Sequence, residues 1–276
     1  MTSTADAGQA SFTLERFAQH PFYHEVNERL VALTRLAKGQ RVVDLGAGTG
    51  AVTKLIAQEV ANDNAEVIAI EPCETALGIA RRNLEEFRGA VVRFIQGGAE
   101  VLTQLVKKPV DAVFFCNAIH LVEEKDHVLQ EILETLGEDG TFSFNTSFYL
   151  GAEPPEAEMF YRRWMMKALR VLKKEYGLSP DKTRVQARQR LTEEEYVTLL
   201  TSNGFKVRDK EVVTVQVPLS GFEAISEYSL WIEGVLPGVP LEAGARALTK
   251  AARLTFAELN VTEVPRNWLL VVADRA

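Results

Sequence analysis

The chain has 276 residues, of which 46% are apolar and 25% charged, and it carries a formal net charge of −7. These proportions suit a chain that buries a full core and exclude a disordered one. The negative balance speaks against a dedicated nucleic-acid binder, which needs a clustered excess of Lys and Arg. Two cysteines, Cys73 and Cys116, stand far apart in apolar surroundings with no CxxC pair. No zinc or other metal site and no disulfide framework is therefore expected, and buried free thiols suit the reducing cytoplasm. The small, polar start of the chain lacks the pattern of a secretory leader, and no apolar run reaches the length of a membrane span.

Residues 12–37 mix aromatics at helical spacing, which predicts one or two N-terminal helices. The pattern then becomes strand, helix, strand. Strands are expected at Arg41–Leu45, Glu66–Ile70, Val91–Ile95, Val110–Cys116 and Thr141–Thr146. Helices are expected between them at Ala51–Val60, Glu74–Phe87 and Glu123–Leu136, the last closed by Gly137 as its left-handed terminator. Short apolar strands alternating with helices of ten to fifteen residues predict βαβ units and a parallel sheet. From Gly151 the rhythm breaks into a Met- and aromatic-rich helical stretch over Glu156–Tyr176. Thr192 and Glu195 form a capping box that opens a helix ending near Gly204. A β-rich segment at Phe205–Val217, a helical stretch from Ser220 to about Val261 and a strand at Asn267–Ala273 complete the chain.

The most informative residues are Val42–Gly50, VVDLGAGTG, a strand running into a turn with Gly46, Gly48 and Gly50. Glycines permit a tight turn and a close ligand approach, and the following helix offers unpaired N–H groups. With Ala51 they also satisfy a loose dinucleotide pattern, so the glycines alone leave the cofactor open. Asp44, at the strand's carboxyl end, leans away from a dinucleotide. A carboxylate there repels a pyrophosphate but favours the sulfonium and ammonium of S-adenosylmethionine. Glu71 ends the second strand, where an acidic residue accepts from ribose hydroxyls. No GK[ST] follows the glycines, which excludes a Walker phosphate loop.

On these residues the sequence resembles the class I S-adenosylmethionine-dependent methyltransferases of small molecules, over roughly Arg41–Thr146. VVDLGAGTG resembles the family's first motif and IAIEP its acidic second-strand motif; FIQGGAE, DAVFFCNAIHLV and LGEDGTFSF resemble its later segments. The resemblance implies a Rossmann-like α/β fold, with a mostly parallel seven-stranded sheet, helices on both faces and a last strand running antiparallel at the sheet edge. It further implies that Asp44, Gly46, Ala47, Gly48 and Gly50 surround the methionine end of the cofactor, with Asn117 beside it. Glu71 and Pro72 would meet the ribose, and Gly98, Ala99 and Glu100 the adenine. Gly98 departs from the pattern, because the family often places an acidic residue there for the adenine amino group. An N-terminal segment folds over the cofactor in related enzymes, so Tyr23 is a further cofactor candidate, with helix packing the alternative.

Methyl transfer needs an aligned nucleophile and a dry site; a general base is needed only when the acceptor is protonated. His120, just after the fourth strand, is the candidate base; the alternative is that it packs beneath the cap against a loop carbonyl. The aromatics of the C-terminal half, with Phe148, Tyr149, Trp164 and Trp231 as the substrate candidates, favour an apolar acceptor, though each alone suits core packing. On the 156–176 helix, Arg163, Lys167, Arg170 and Lys174 fall on one face. That face suits a peripheral membrane contact, an acidic substrate or simple solvation.

The expectation is a single cytoplasmic methyltransferase domain over residues 1–276. It comprises N-terminal helices (1–38), a cofactor-binding core (39–147) and insertions at 151–190 and 219–262 that cap the sheet. The expected reaction is methylation of a small, largely apolar metabolite at a hydroxyl, carboxylate or activated carbon. A nicotinamide-dependent oxidoreductase and a non-catalytic S-adenosylmethionine-binding protein remain as alternatives, and nucleic acid is not an expected partner.

Overall fold

The computed structural model describes residues 12–62, 64–181 and 190–276. The polar start of the chain and residues 182–189 of the first expected insertion lie outside this range. Seven strands form one sheet: β1 (Arg41–Leu45), β2 (Glu66–Glu71), β3 (Val91–Gln96), β4 (Val110–Cys116), β5 (Leu136–Thr146), β6 (Phe205–Pro218) and β7 (Glu263–Arg275). The helices that carry the argument are α1 (Pro21–Thr34), α2 (Ala51–Val60), α3 (Glu74–Asn83), α4 (Lys125–Thr135), α5 (Glu158–Val171), α6 (Glu193–Ser202), α7 (Leu219–Ile225), α8 (Ser229–Val235) and α9 (Leu241–Leu259).

The strand order is β3-β2-β1-β4-β5-β7-β6. β1 runs parallel to both β2 and β4, and β4 parallel to β5. The mostly parallel, Rossmann-like sheet predicted from the alternating pattern is therefore present. Val42, Val43, Val67, Ala69, Val113 and Phe114 are all fully buried, as strands covered on both faces must be. The strand order reverses between β1 and β4. At such a switch point the connections leave in opposite directions and open a crevice at the carboxyl ends of the strands.

Several expectations need correction. β7 runs antiparallel to β5 but lies between β5 and β6, one strand in from the edge. Gly137 is not a helix terminator. α4 ends at Thr135, and Leu136 is already extended and pairs with Val110, so the sheet takes the backbone directly. The close approach falls instead at Gly140, where a Cβ would stand 2.7 Å from that of Leu136. α3 stops at Asn83, four residues early, and a short helix at Leu102–Leu105 fills the connection after β3. Cys73 is exposed rather than buried, while Cys116 is buried as expected. Thr192 and Glu195 form the capping box as read, the hydroxyl accepting from Glu195 N at 3.1 Å.

The residues divide into two compact units. One gathers His24–Gly151, Gln189–Val213 and Trp268–Ala276, and so holds the sheet up to Val213 of β6 and from Trp268 of β7. The other gathers Met1–Tyr23, Ala152–Arg188 and Thr214–Asn267. Within this second unit the core is aromatic. Phe160 lies 4.8 Å from Phe222 and 5.0 Å from Phe256, centroid to centroid, in edge-on contacts. The small, fully buried Ala247, Ala251 and Ala252 of α9 leave room for these rings. The basic face expected on α5 is partly spent internally, because Arg163 and Lys167 both pair with Glu258 of α9. The long helical stretch expected over 220–261 is three helices, α7 to α9.

Candidate cofactor and active site

The turn after β1 is built from backbone that only glycine adopts easily. Gly46, Gly48 and Gly50 have φ of 69°, 54° and 84°. Gly46 N and Ala47 N donate to Ile70 O at 2.8 and 3.0 Å, which ties the turn to the end of β2. A Cβ on Gly50 would come within 2.8 Å of Leu84 and 3.0 Å of Ala80, so α3 also excludes a side chain there. At Gly48 nothing lies within 4 Å, and this glycine faces open space.

Two carboxylates flank the turn. Asp44 is 1% exposed and accepts from Thr53 Oγ1 at 2.6 Å. Burial pushes its pKa up to about 7, with the charge of Glu71 adding to the rise and Thr53 opposing it. Glu71 accepts from Gly48 N and Cys73 N, both at 2.9 Å. Burial raises its pKa too, against the pull of those two N–H groups. Cys116, at the end of β4, is held well above its ordinary pKa by burial and by the Asp44 charge, so it stays a thiol. Among the described residues no Lys or Arg bonds to either carboxylate. A buried acidic pair without a resident cation suits a cationic, phosphate-free ligand and repels a pyrophosphate. The donor set therefore fits S-adenosylmethionine, with Asp44 and the glycine turn for its cationic end and Glu71 for its ribose.

The turn after β4 completes the crevice. Gly46 meets this turn directly, since a Cβ on it would stand 3.2 Å from that of Ala118. Asn117 takes a left-handed conformation (φ 51°) and accepts from Ser147 N and Ser147 Oγ through Oδ1 at 3.2 and 3.1 Å. Its N–H donates to Asn145 O at 2.8 Å, and Asn145 Nδ2 donates to Asn27 Oδ1, also at 2.8 Å. This chain of amides fixes the ends of β4 and β5 and the helical turn Ile119–Leu121 that carries His120. His120 Nδ1 lies 3.2 Å from Thr146 Oγ1, and its ring packs on Phe148 at 5.0 Å. The Arg190 guanidinium covers the Phe148 ring at 4.7 Å.

The remaining candidates separate clearly. Gly98 and Ala99 open the helical turn Ala99–Val101, and the Glu100 carboxylate folds back over Gly98, within 2.2 Å of where a Cβ would stand. The Glu100 carboxylate therefore occupies the space that a side chain on Gly98 would take. Pro72 is exposed, its carbonyl accepting from Gln96 Nε2 at 3.2 Å. Tyr149 is 1% exposed and packs on Gly151. Tyr23, Trp164 and Trp231 belong to the second unit. There Tyr23 packs edge-on against Phe17, and Trp164 stacks on Trp231 at 5.9 Å while donating to Leu248 O at 2.9 Å. Thr53 and Thr146, the hydroxyl partners of Asp44 and His120, escaped the sequence reading. Thr53 was findable, since it sits in the first turn of the helix that the glycine turn opens.

A glycine turn with an acidic pair at the switch point of a parallel sheet defines a Rossmann-like domain of the S-adenosylmethionine-binding class. The chain belongs to the methyltransferase domain family, which matches residues 36–204. It carries an S-adenosylmethionine-dependent methyltransferase domain, and S-adenosylmethionine is the cofactor. The nicotinamide alternative falls with that assignment. Over 97 residues the chain is 35% identical to the probable cobalt-precorrin-6B C(15)-methyltransferase (decarboxylating) of Sulfurisphaera tokodaii, covering 34% of this chain and 50% of that protein. Over 140 residues it is 28% identical to the ubiquinone/menaquinone biosynthesis C-methyltransferase UbiE of Legionella pneumophila, covering 48% and 54%. The chain thus spans about half the length of these relatives. A Haemonchus contortus phosphoethanolamine N-methyltransferase, solved with S-adenosylhomocysteine, shares the fold. Its TM-score is 0.57 at 18% identity, over 99% of this chain and 58% of that one.

Proposed function

We propose that the protein transfers the methyl group of S-adenosylmethionine to a small, largely apolar acceptor bearing a hydroxyl, carboxylate or activated carbon. The observation that carries this reading is the contact between the Gly46 turn and the turn of His120 at the switch point of the sheet. The short helical turn that carries His120 therefore follows directly on the residue that meets the glycine turn. The two relatives named above carry names of small-molecule C-methyltransferases, which supports a small acceptor. When bound, S-adenosylmethionine supplies an electrophilic methyl group on a sulfonium.

Asp44 and Glu71 hold the cofactor's cationic and ribose groups, Glu100 accepts from the adenine amino group, and the Asn117 turn closes the methionine side. His120 takes the acceptor's proton where the acceptor has one to lose. Thr146 orients the imidazole, and Phe148 gives it an apolar wall. Arg190, which also lies over the Phe148 ring, suits an acceptor with acidic or enolic character. Residues 1–276 act as one functional domain, in which the insertions at 151–190 and 219–262 choose the acceptor, and the cytoplasm is the compartment. Among the described residues no helix is long and apolar enough to cross a membrane.

Calorimetric titration with S-adenosylhomocysteine, with Asp44→Ala alongside, tests the cofactor half. Micromolar-range binding that the variant loses supports the reading, and no binding to folded protein sinks it. Labelled methyl donor with a panel of apolar acceptors tests the other half. Once an acceptor is found, His120→Gln should lower kcat by about 10²–10⁴ while leaving S-adenosylhomocysteine affinity unchanged. Cofactor binding with no transfer to any acceptor would favour the non-catalytic alternative.

A further inference from the structure

The outward side of α5 is apolar where a solvated helix would be polar. Met159, Met166 and Leu169 are 52%, 41% and 44% exposed. Arg162 and Arg170 lie exposed among them, and Lys173 follows in the π-turn Leu172–Tyr176 that extends the helix. At 100° per residue these six positions fall within an arc of about 100°, along a helix and turn about 28 Å long. The opposite face is the one that buries Phe160, Trp164 and Ala168. The helix therefore carries two apolar faces, and the core accounts for only one.

The charge of this face is also unspent. Between Glu158 and Tyr176 the chain has six basic and two acidic side chains. Arg163 and Lys167 are engaged by Glu258, and Glu175 by Lys250. Arg162, Arg170, Lys173 and Lys174 make no ion pair among the described residues. A chain of net charge −7 thus presents one helix with a row of flexible apolar side chains edged by free cations.

We propose that this face of α5 docks the protein on the surface of an anionic lipid bilayer. Met and Leu enter the boundary between headgroups and acyl chains, while Arg and Lys stems lie along it and reach the phosphates. Each basic residue at such a surface contributes about 1 kcal/mol. A nucleic acid would use the cations and leave the apolar row wet. A second copy, paired about a two-fold axis, would bring the same cations face to face. The bilayer alone satisfies both features, and it is where apolar acceptors concentrate.

The test is co-sedimentation of the full chain with vesicles of phosphatidylcholine alone and of an equal mixture with phosphatidylglycerol. Binding is expected to the mixed vesicles only, and it should fall as salt is raised. Arg170→Gln and Lys173→Gln should each weaken it about fivefold. Met166→Asp with Leu169→Asp should abolish it, with the circular dichroism spectrum unchanged because both side chains are exposed. Equal binding to both vesicle types, no binding to either, or binding that ignores these substitutions would overturn the proposal. So would a dimer in light scattering that the double aspartate variant dissociates, which would assign the face to a second copy.

Discussion

The sheet-bearing unit and the aromatic helical unit solve opposite problems. In the first, the function proposed above depends on a few backbone conformations and two carboxylates around one turn. In the second, many buried apolar side chains share the load and no single one is diagnostic. Chemistry that needs a fixed backbone geometry writes itself into a short motif, whereas a packed aromatic core does not. The two units should therefore respond differently to substitution: the helical unit by losing stability, the turn by losing ligand.

The largest expected effect is at Trp164, which is 1% exposed and hydrogen-bonded through its indole. Trp164→Ala should cost about 3–5 kcal/mol in urea unfolding. S-adenosylhomocysteine affinity of the protein that remains folded should stay within about twofold, the scatter expected of independent sites. A large loss of affinity in this variant would break the comparison, because the aromatic core would then be part of the cofactor site.

Gly50→Val should do the reverse. Its φ of 84° costs a branched residue about 1–2 kcal/mol, and the new side chain collides with Leu84 and Ala80. A stability loss of about 3 kcal/mol is expected together with loss of cofactor binding. Retained binding would show that the turn tolerates a different backbone and that glycine is there for packing alone.

These contrasts explain what could be read from the chain. The order of strands and helices was legible because burial on both faces of a parallel sheet leaves uninterrupted apolar runs such as VDAVFFC. The glycine turn was legible because three glycines at alternate positions after a strand announce left-handed backbone, which all three adopt. Gly137 misled because a glycine after a helix looks like a terminator whether or not a strand begins there. Cys73 misled because one exposed thiol in an apolar neighbourhood has no periodic partner to betray it. The fold of Glu100 over Gly98 and the Asn27–Asn145–Asn117 chain depend on residues distant in sequence, and spacing says nothing about them.

The pH response sharpens the comparison further. Asp44 holds a proton up to about pH 7 in the folded chain, against an ordinary value of 3.8, so the folded state binds more protons than the unfolded one between them. Its contribution to stability is therefore present below about pH 4 and is lost as pH rises towards 7. Cofactor binding runs the other way. The ionised carboxylate attracts a cationic ligand, so affinity for S-adenosylmethionine should rise by up to tenfold per pH unit below 7 and then level off. Asp44→Asn should flatten both profiles. A wild-type affinity that is constant from pH 5.5 to 7.5 would mean that Asp44 does not face the cation.

The smallest and most discriminating change is Thr53→Val, which removes the side-chain hydroxyl bonded to Asp44 and leaves its burial intact. A hydrogen bond to a charged group contributes about 1.5–3 kcal/mol. Without it the ionised form is less favoured, so the midpoint of the affinity profile should move upward by about one pH unit. Affinity above the new midpoint should approach that of the wild type, because the substituted side chain stays on the buried face of α2. A uniform loss at every pH would instead make Thr53 a packing or ligand-contacting residue. An upward shift with the plateau retained ties the cofactor turn to one titrating carboxylate.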